Sequence, residues 1–161
     1  ALRNNFQPIK INTVVMRGVN ENEIPDFARL TLTYPLQIRF IEFMPVGLPK
    51  FWTPERTVTN SEVKERCQEI GTLEPVCGNG HNTNARSYRF CTDGAPGILS
   101  FISPLSHPFC DACSRLRLTA EGKLRLCLGS AREIALSPYL RDGNYSDDKF
   151  QLAGGPALRA E

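Results

Sequence analysis

The chain has 161 residues, a formal net charge of +2, 41% apolar residues and 22% charged ones. This is an ordinary globular composition, with room for one domain with its own core, or part of a barrel plus an appendage. It excludes a partner held by net charge, so no nucleic acid is expected, and no apolar run approaches the ~20 residues of a membrane-spanning helix.

Residues 10–16 (KINTVVM) form a short, β-branched apolar run of the kind a buried parallel strand uses. A turn (RGVN) follows, then Asn22 as expected N-cap of a helix that puts Ile24, Phe27 and Ala28 on one face. Pro25 is tolerated in a first helical turn. Residues 36–44 (LQIRFIEFM) read as a second strand, closed by Pro45 and Gly47. Strand, helix and strand at this spacing predict a βαβ unit with parallel strands. Residues 48–57 read as a loop. Thr59 and Glu62 form a capping-box pattern ahead of a helix that buries Val63, Cys67 and Ile70 and stops at Gly71. Residues 71–87, rich in Gly and Asn, are expected to be irregular. Residues 89–91 and 97–103 read as strands joined by the turn DGAP. A second hairpin runs from RLRLT (115–119) through AEG (120–122) to KLRLCL (123–128). Ser137-Pro138 begins a last short helix, and residues 152–161 (LAGGPALRAE) are expected to fray.

Six cysteines in a chain without a secretory opening argue for a metal or reactive site rather than a disulfide framework. A cytoplasmic location is therefore expected. Cys67, Cys77 and Cys91 are scattered, whereas Cys110, Cys113 and Cys127 form a C-x2-C-x13-C cluster. With a three-residue loop ending in Gly122, the second hairpin places Arg115 opposite Cys127 and Arg117 opposite Arg125. Arg115, Arg117 and Cys127 then share one strand face, away from Leu116 and Leu118. Three thiolates suit an iron–sulfur cluster with one iron left open. His107, three residues before Cys110, would instead complete a Cys3His zinc site. Ordinary core cysteines are the third possibility, and spacing does not choose among them. Arg115 and Arg117, two like charges at i and i+2, favour an anion between them, although two solvated arginines would look the same. The chain has 14 arginines against 5 lysines, which suits phosphate recognition, but compositional bias accounts for the ratio equally well.

The segment FCDACSRLRLTAEGKLRLCL (109–128) resembles the C-terminal signature of the GTP 3′,8-cyclases, lyases of the radical S-adenosylmethionine (SAM) superfamily that act in molybdenum cofactor biosynthesis. KINTVVMRGVNENEI (10–24) and IRFIEFMPVG (38–47) are similar to segments of the same family, in the same order, and the resemblance covers roughly residues 8–143. It implies an α/β fold. Residues 1–50 would be the last βα units of an incomplete (β/α) radical SAM barrel. Residues 51–161 would be a C-terminal domain with antiparallel hairpins, holding an auxiliary 4Fe-4S cluster and binding GTP.

By the same resemblance, Cys110, Cys113 and Cys127 hold the auxiliary cluster, whose open iron contacts guanine. Arg115, Leu116 and Arg117 bind the triphosphate, Lys10 contacts GTP, and Met44 lies against SAM. Arg39 either lines the same cavity or is a partly buried structural arginine. A second 4Fe-4S cluster in the missing N-terminal portion would cleave SAM, and the resulting radical would lead to closure of GTP between ribose C3′ and guanine C8. The expected partners are GTP, that N-terminal portion, a second copy in a homodimer, and the cyclic pyranopterin monophosphate synthase that takes the product.

Two departures limit the expectation. The C-x3-C-x2-C triad of the first cluster does not occur, and the first residue is Ala1 rather than Met, so a fragment without catalytic residues, inactive alone, is expected. The Gly154-Gly155 pair is followed by PALRAE, unlike the family's Gly-Gly tail, and Ser114 stands where Asn is common. A zinc-binding interaction module without catalysis is the alternative reading, and a radical SAM relative with another substrate is a third.

Overall fold

The computed structural model describes residues 1–47, 51–76, 85–113 and 115–137. They divide into two compact units, Ala1–Phe109 and Cys110–Glu161. No helix among the described residues is long and apolar enough to cross a membrane.

The first unit is a mixed α/β layer. Strand β1 (Ile9–Val15) alternates, with Thr13 and Val15 buried and Lys10, Asn12 and Val14 exposed. Helix α1 (Ile24–Thr33) returns the chain to β2 (Leu36–Glu42), which pairs with β1 in parallel from Ile9–Leu36 to Val15–Glu42. The predicted βαβ unit is present. Asn22 is not its helix cap, because a 3-10 turn over Glu21–Glu23 comes first and Pro25 already sets the backbone of the opening turn. Asn20 stabilises the entry instead: its Oδ1 accepts from the Met16 N–H at 2.8 Å and its Nδ2 donates to the Val14 carbonyl at 3.0 Å.

Helix α2 (Asn60–Gln68) starts as its sequence predicts, with the Thr59 hydroxyl accepting from the Glu62 N–H at 3.3 Å. The Glu62 carboxylate does not complete a capping box. It is drawn to Arg17 at 2.6 Å and Arg66 at 2.9 Å, which tie the β1–α1 turn to α2. Three further strands finish the sheet: β3 (Leu73–Pro75), β4 (Arg86–Phe90) and β5 (Ile98–Ile102). Its order is β1-β2-β5-β4-β3, with β5 parallel to β2 and the β4 pairings antiparallel. Strand β3 lies in the stretch expected to be irregular. Three residues carry no readable period, and β4 supplies the pairing that makes them a strand, Leu73 opposite Phe90.

The core occupies one sheet face. Ile38, Phe40, Leu99 and Phe101 pack there with Ile24 and Ala28 of α1 and Val63 and Cys67 of α2. Where β5 begins, the Gly97 N–H donates to the Thr31 carbonyl at 2.9 Å, and a Cβ on Gly97 would lie 2.6 Å from Thr31 Cα. Only glycine allows that approach. Because β5 joins β2 directly, the division expected after residue 50 separates strands that one sheet unites.

The second unit opens with a 3-10 turn over Cys110–Ala112 and contains an antiparallel sheet of β6 (Arg117–Leu118), β7 (Lys123–Arg125) and β8 (Glu133–Ala135), in that order. The hairpin turn is as predicted: Gly122 has φ 75°, and the Thr119 N–H donates to the Lys123 carbonyl at 2.8 Å. Its arms are shorter than the alternating pattern suggests, and β8 was not anticipated. The expected last helix and the frayed end lie outside the described residues.

Candidate functional site

The sheet face opposite the helices is polar around Arg39 and apolar where Val14, Ile41 and Ile102 align. Register places Lys10 beside Gln37 and Asn12 beside Arg39, and Arg39 beside Ser100, so these side chains share that face. Gln37 Nε2 donates to Ser100 Oγ at 2.8 Å, and Ser100 Oγ meets Ser87 Oγ at 2.9 Å. Arg39 is half-buried and its Nε is a buried donor without a partner among the described residues. Such a donor is costly in a finished site and suits a ligand. The sheet therefore brings Lys10 and Arg39, two of the predicted residues, onto one surface. Met44 follows two residues after β2, half-buried, where the Val46 N–H donates to its carbonyl at 2.8 Å.

The carboxyl ends of β2 and β5 are held by a residue that sequence reading missed. Glu42 is 1% exposed. Its Oε1 accepts from the Asn60 N–H at 3.1 Å, at the N-terminus of α2, and its Oε2 accepts from the Leu105 and Ser106 N–H groups, both at 3.0 Å. The Ser106 hydroxyl also donates to Oε1. Burial pushes the carboxyl up, but the Ser106 hydroxyl and these N–H groups outweigh it and hold it below the usual glutamate value. Asn60 adds bonds from Nδ2 to the Ile102 carbonyl at 2.7 Å and to Ser103 Oγ at 3.0 Å. The knot fixes the course of residues 103–106, four residues before Cys110. An acid at an inward position of an alternating strand was the available signal.

In the second unit the predicted register holds where the ladder exists: Arg117 pairs with Arg125 and Leu118 with Leu124. The expected pairing of Arg115 with Cys127 lies beyond the two-residue β6. Arg115 is exposed, Arg117 half-buried, and Leu116 is 57% exposed. Cys110, Cys113 and Cys127 are exposed free thiols. The 3-10 turn links the first two, with the Cys113 N–H donating to the Cys110 carbonyl at 3.0 Å. Cys67 is core, as expected, and burial pushes its thiol up to about 12. Cys91 is exposed, and Cys77 lies outside the described residues.

Residues 36–159 match the sequence model of the family described as Molybdenum Cofactor Synthesis C. The chain belongs to that family. Among its relatives, a GTP 3′,8-cyclase of Syntrophomonas wolfei is 45% identical over 155 residues, covering 94% of this chain and 46% of that protein. A GTP 3′,8-cyclase of Alkaliphilus metalliredigens is 44% identical over 161 residues, all of this chain and 48% of that protein. Human molybdenum cofactor biosynthesis protein 1 is 38% identical over 160 residues, 99% of this chain and 24% of that protein. The chain thus spans about half the length of these bacterial relatives.

For a Molybdenum Cofactor Synthesis C chain, the three cysteines offer a donor set of the right chemistry: free, solvent-accessible thiols in one compact unit. Among the described residues no three Cys, His, Asp or Glu side chains form a group that could hold a metal ion.

Proposed function

We propose that this chain is the C-terminal portion of a GTP 3′,8-cyclase, in which it binds GTP and carries an auxiliary 4Fe-4S cluster. The family match over residues 36–159 carries this reading, because it encloses Cys110, Cys113, Cys127, Arg115, Leu116 and Arg117 together. In this reading the three thiols hold the cluster, which supplies an open iron to the guanine base. Arg117 and Arg115 take the triphosphate, with the backbone of Leu116 between them. Lys10 and Arg39 contribute from the sheet face, where the orphaned Arg39 Nε supports a ligand. Met44 lies against SAM. Orientation of this kind lowers a barrier by fixing the reacting atoms, by up to about 7–11 kcal/mol in the best cases.

The parallel pairing of β1 with β2 is what the last βα units of a radical SAM barrel would show, and residues 1–50 would hold those units. The remaining residues would cover the substrate. SAM cleavage would need the C-x3-C-x2-C portion that the relatives' other half would supply, with its own 4Fe-4S cluster. The whole enzyme would act as a cytoplasmic homodimer and pass its product to cyclic pyranopterin monophosphate synthase. This chain alone would form no product.

The test is made on the full-length protein, prepared without oxygen. Iron and sulfide should accompany the protein, with broad absorption near ~400 nm that falls when Cys110, Cys113 or Cys127 becomes Ala. GTP titration should show Arg117→Ala and Arg115→Ala each weakening binding by about tenfold or more, above ~1 kcal/mol. Colourless protein with one zinc per chain and no affinity for GTP would refute the reading.

A further inference from the structure

A charged row crosses the second unit's sheet. Arg117 on β6 lies opposite Arg125 on β7, and Arg125 lies opposite Glu133 on β8. Partners in an antiparallel ladder share a face, so cation, cation and anion stand side by side. Leu118, Leu124 and Ile134 form the matching row on the other face. Two guanidiniums placed directly opposite repel unless one is engaged elsewhere.

Glu133 engages it. Arg125 donates from Nε to Glu133 Oε1 at 3.1 Å and from Nη2 to the same oxygen. The second oxygen, Oε2, takes Lys123 Nζ at 3.2 Å. The carboxylate side chain is 20% exposed and that of Arg125 35%, so this pair is better shielded than most surface pairs. The Arg125 and Lys123 hydrogen bonds hold the Glu133 carboxyl below its usual range. Arg117 has no hydrogen-bond or ion-pair partner among the described residues, and it is half-buried.

We infer that Glu133 is a specificity-determining residue of the phosphate site: it draws Arg125 and Lys123 toward β8 and leaves Arg117 as the row's anion-binding cation. The inference rests on the GTP-binding reading above. Four cations on a small hairpin, Arg115, Arg117, Lys123 and Arg125, would attract any polyanion. With two of them committed to a carboxylate, charge no longer suffices, and contacts to the rest of the nucleotide decide what binds. Glu133 acts here as a positioning residue. It need not touch the phosphates.

The experiment uses the full-length protein and two probes, GTP and inorganic triphosphate, titrated at several salt concentrations. Wild type should prefer GTP. Arg117→Ala should weaken GTP binding about tenfold or more, whereas Arg125→Ala should change it by less than about threefold. Glu133→Gln should tighten inorganic triphosphate binding by about three- to tenfold, steepen its salt dependence and narrow the preference for GTP. Arg125→Ala weakening GTP as much as Arg117→Ala would overturn the inference while leaving the GTP reading intact. Unchanged triphosphate binding by folded Glu133→Gln protein would do the same. If Glu133→Gln fails to fold, the comparison of Arg125→Ala with Arg117→Ala decides. Wild type that binds neither probe would remove both the inference and the reading beneath it.

Discussion

Glu42 keeps its charge in the interior because Asn60, Leu105 and Ser106 direct their N–H groups at it and the Ser106 hydroxyl adds a fourth donor. Glutamine at this position would turn an amide NH2 toward backbone donors, so Glu42→Gln should lose about 1–3 kcal/mol of stability in urea denaturation. The same carboxylate predicts acid sensitivity, together with Glu62, whose carboxyl the Arg17 hydrogen bonds hold low. Each binds a proton less readily folded than unfolded. Their contribution is therefore complete above the unfolded glutamate value near ~4.3 and is lost as pH falls through the lower folded values. Melting temperature should stay level from neutral pH down to about 5 and drop below about 4, and Glu42→Gln should flatten that drop. Alternation in β2 announces an inward side chain at Glu42. Its partners arrive from 18 and 63–64 residues further along, and no local pattern reports them.

The βαβ unit was legible because β-branched runs, helix periodicity and a short spacing all agree. Parallel pairing of β1 with β2 follows from that agreement. The contact between α1 and β5 was not, since Gly97 reads only as the first residue of the strand expected over 97–103. Gly97→Ala forces a methyl to 2.6 Å from the Thr31 backbone, which cannot rotate away. It should cost about 1–3 kcal/mol or more, while Gly122→Asn, at a left-handed hairpin position that asparagine tolerates, should cost less. Thermal denaturation of the two variants checks the order. Strands β3 and β8 escaped the reading for a common reason: at three residues each, they exist through pairing with β4 and β7 and not through their own periodicity.

Across the five-stranded sheet, β1 is a partly open edge strand among the described residues, with an exposed Val14 whose carbonyl Asn20 Nδ2 already takes. An open edge of this kind invites pairing. The 161-residue chain alone should therefore associate as its concentration rises, and sedimentation should detect it; a monomer at all concentrations would contradict this.

The order of its residues already carried the family, the cysteine and arginine motif and the hairpin register, because motif spacing and strand alternation are local properties of a chain. Folding in three dimensions settled the rest: Glu42 at the meeting of β2, α2 and the segment after β5, Arg39 with a buried donor unpaired among the described residues, and Glu133 claiming Arg125. Each of those depends on groups distant in sequence, and charges and hydrogen bonds find partners through space, not along the backbone.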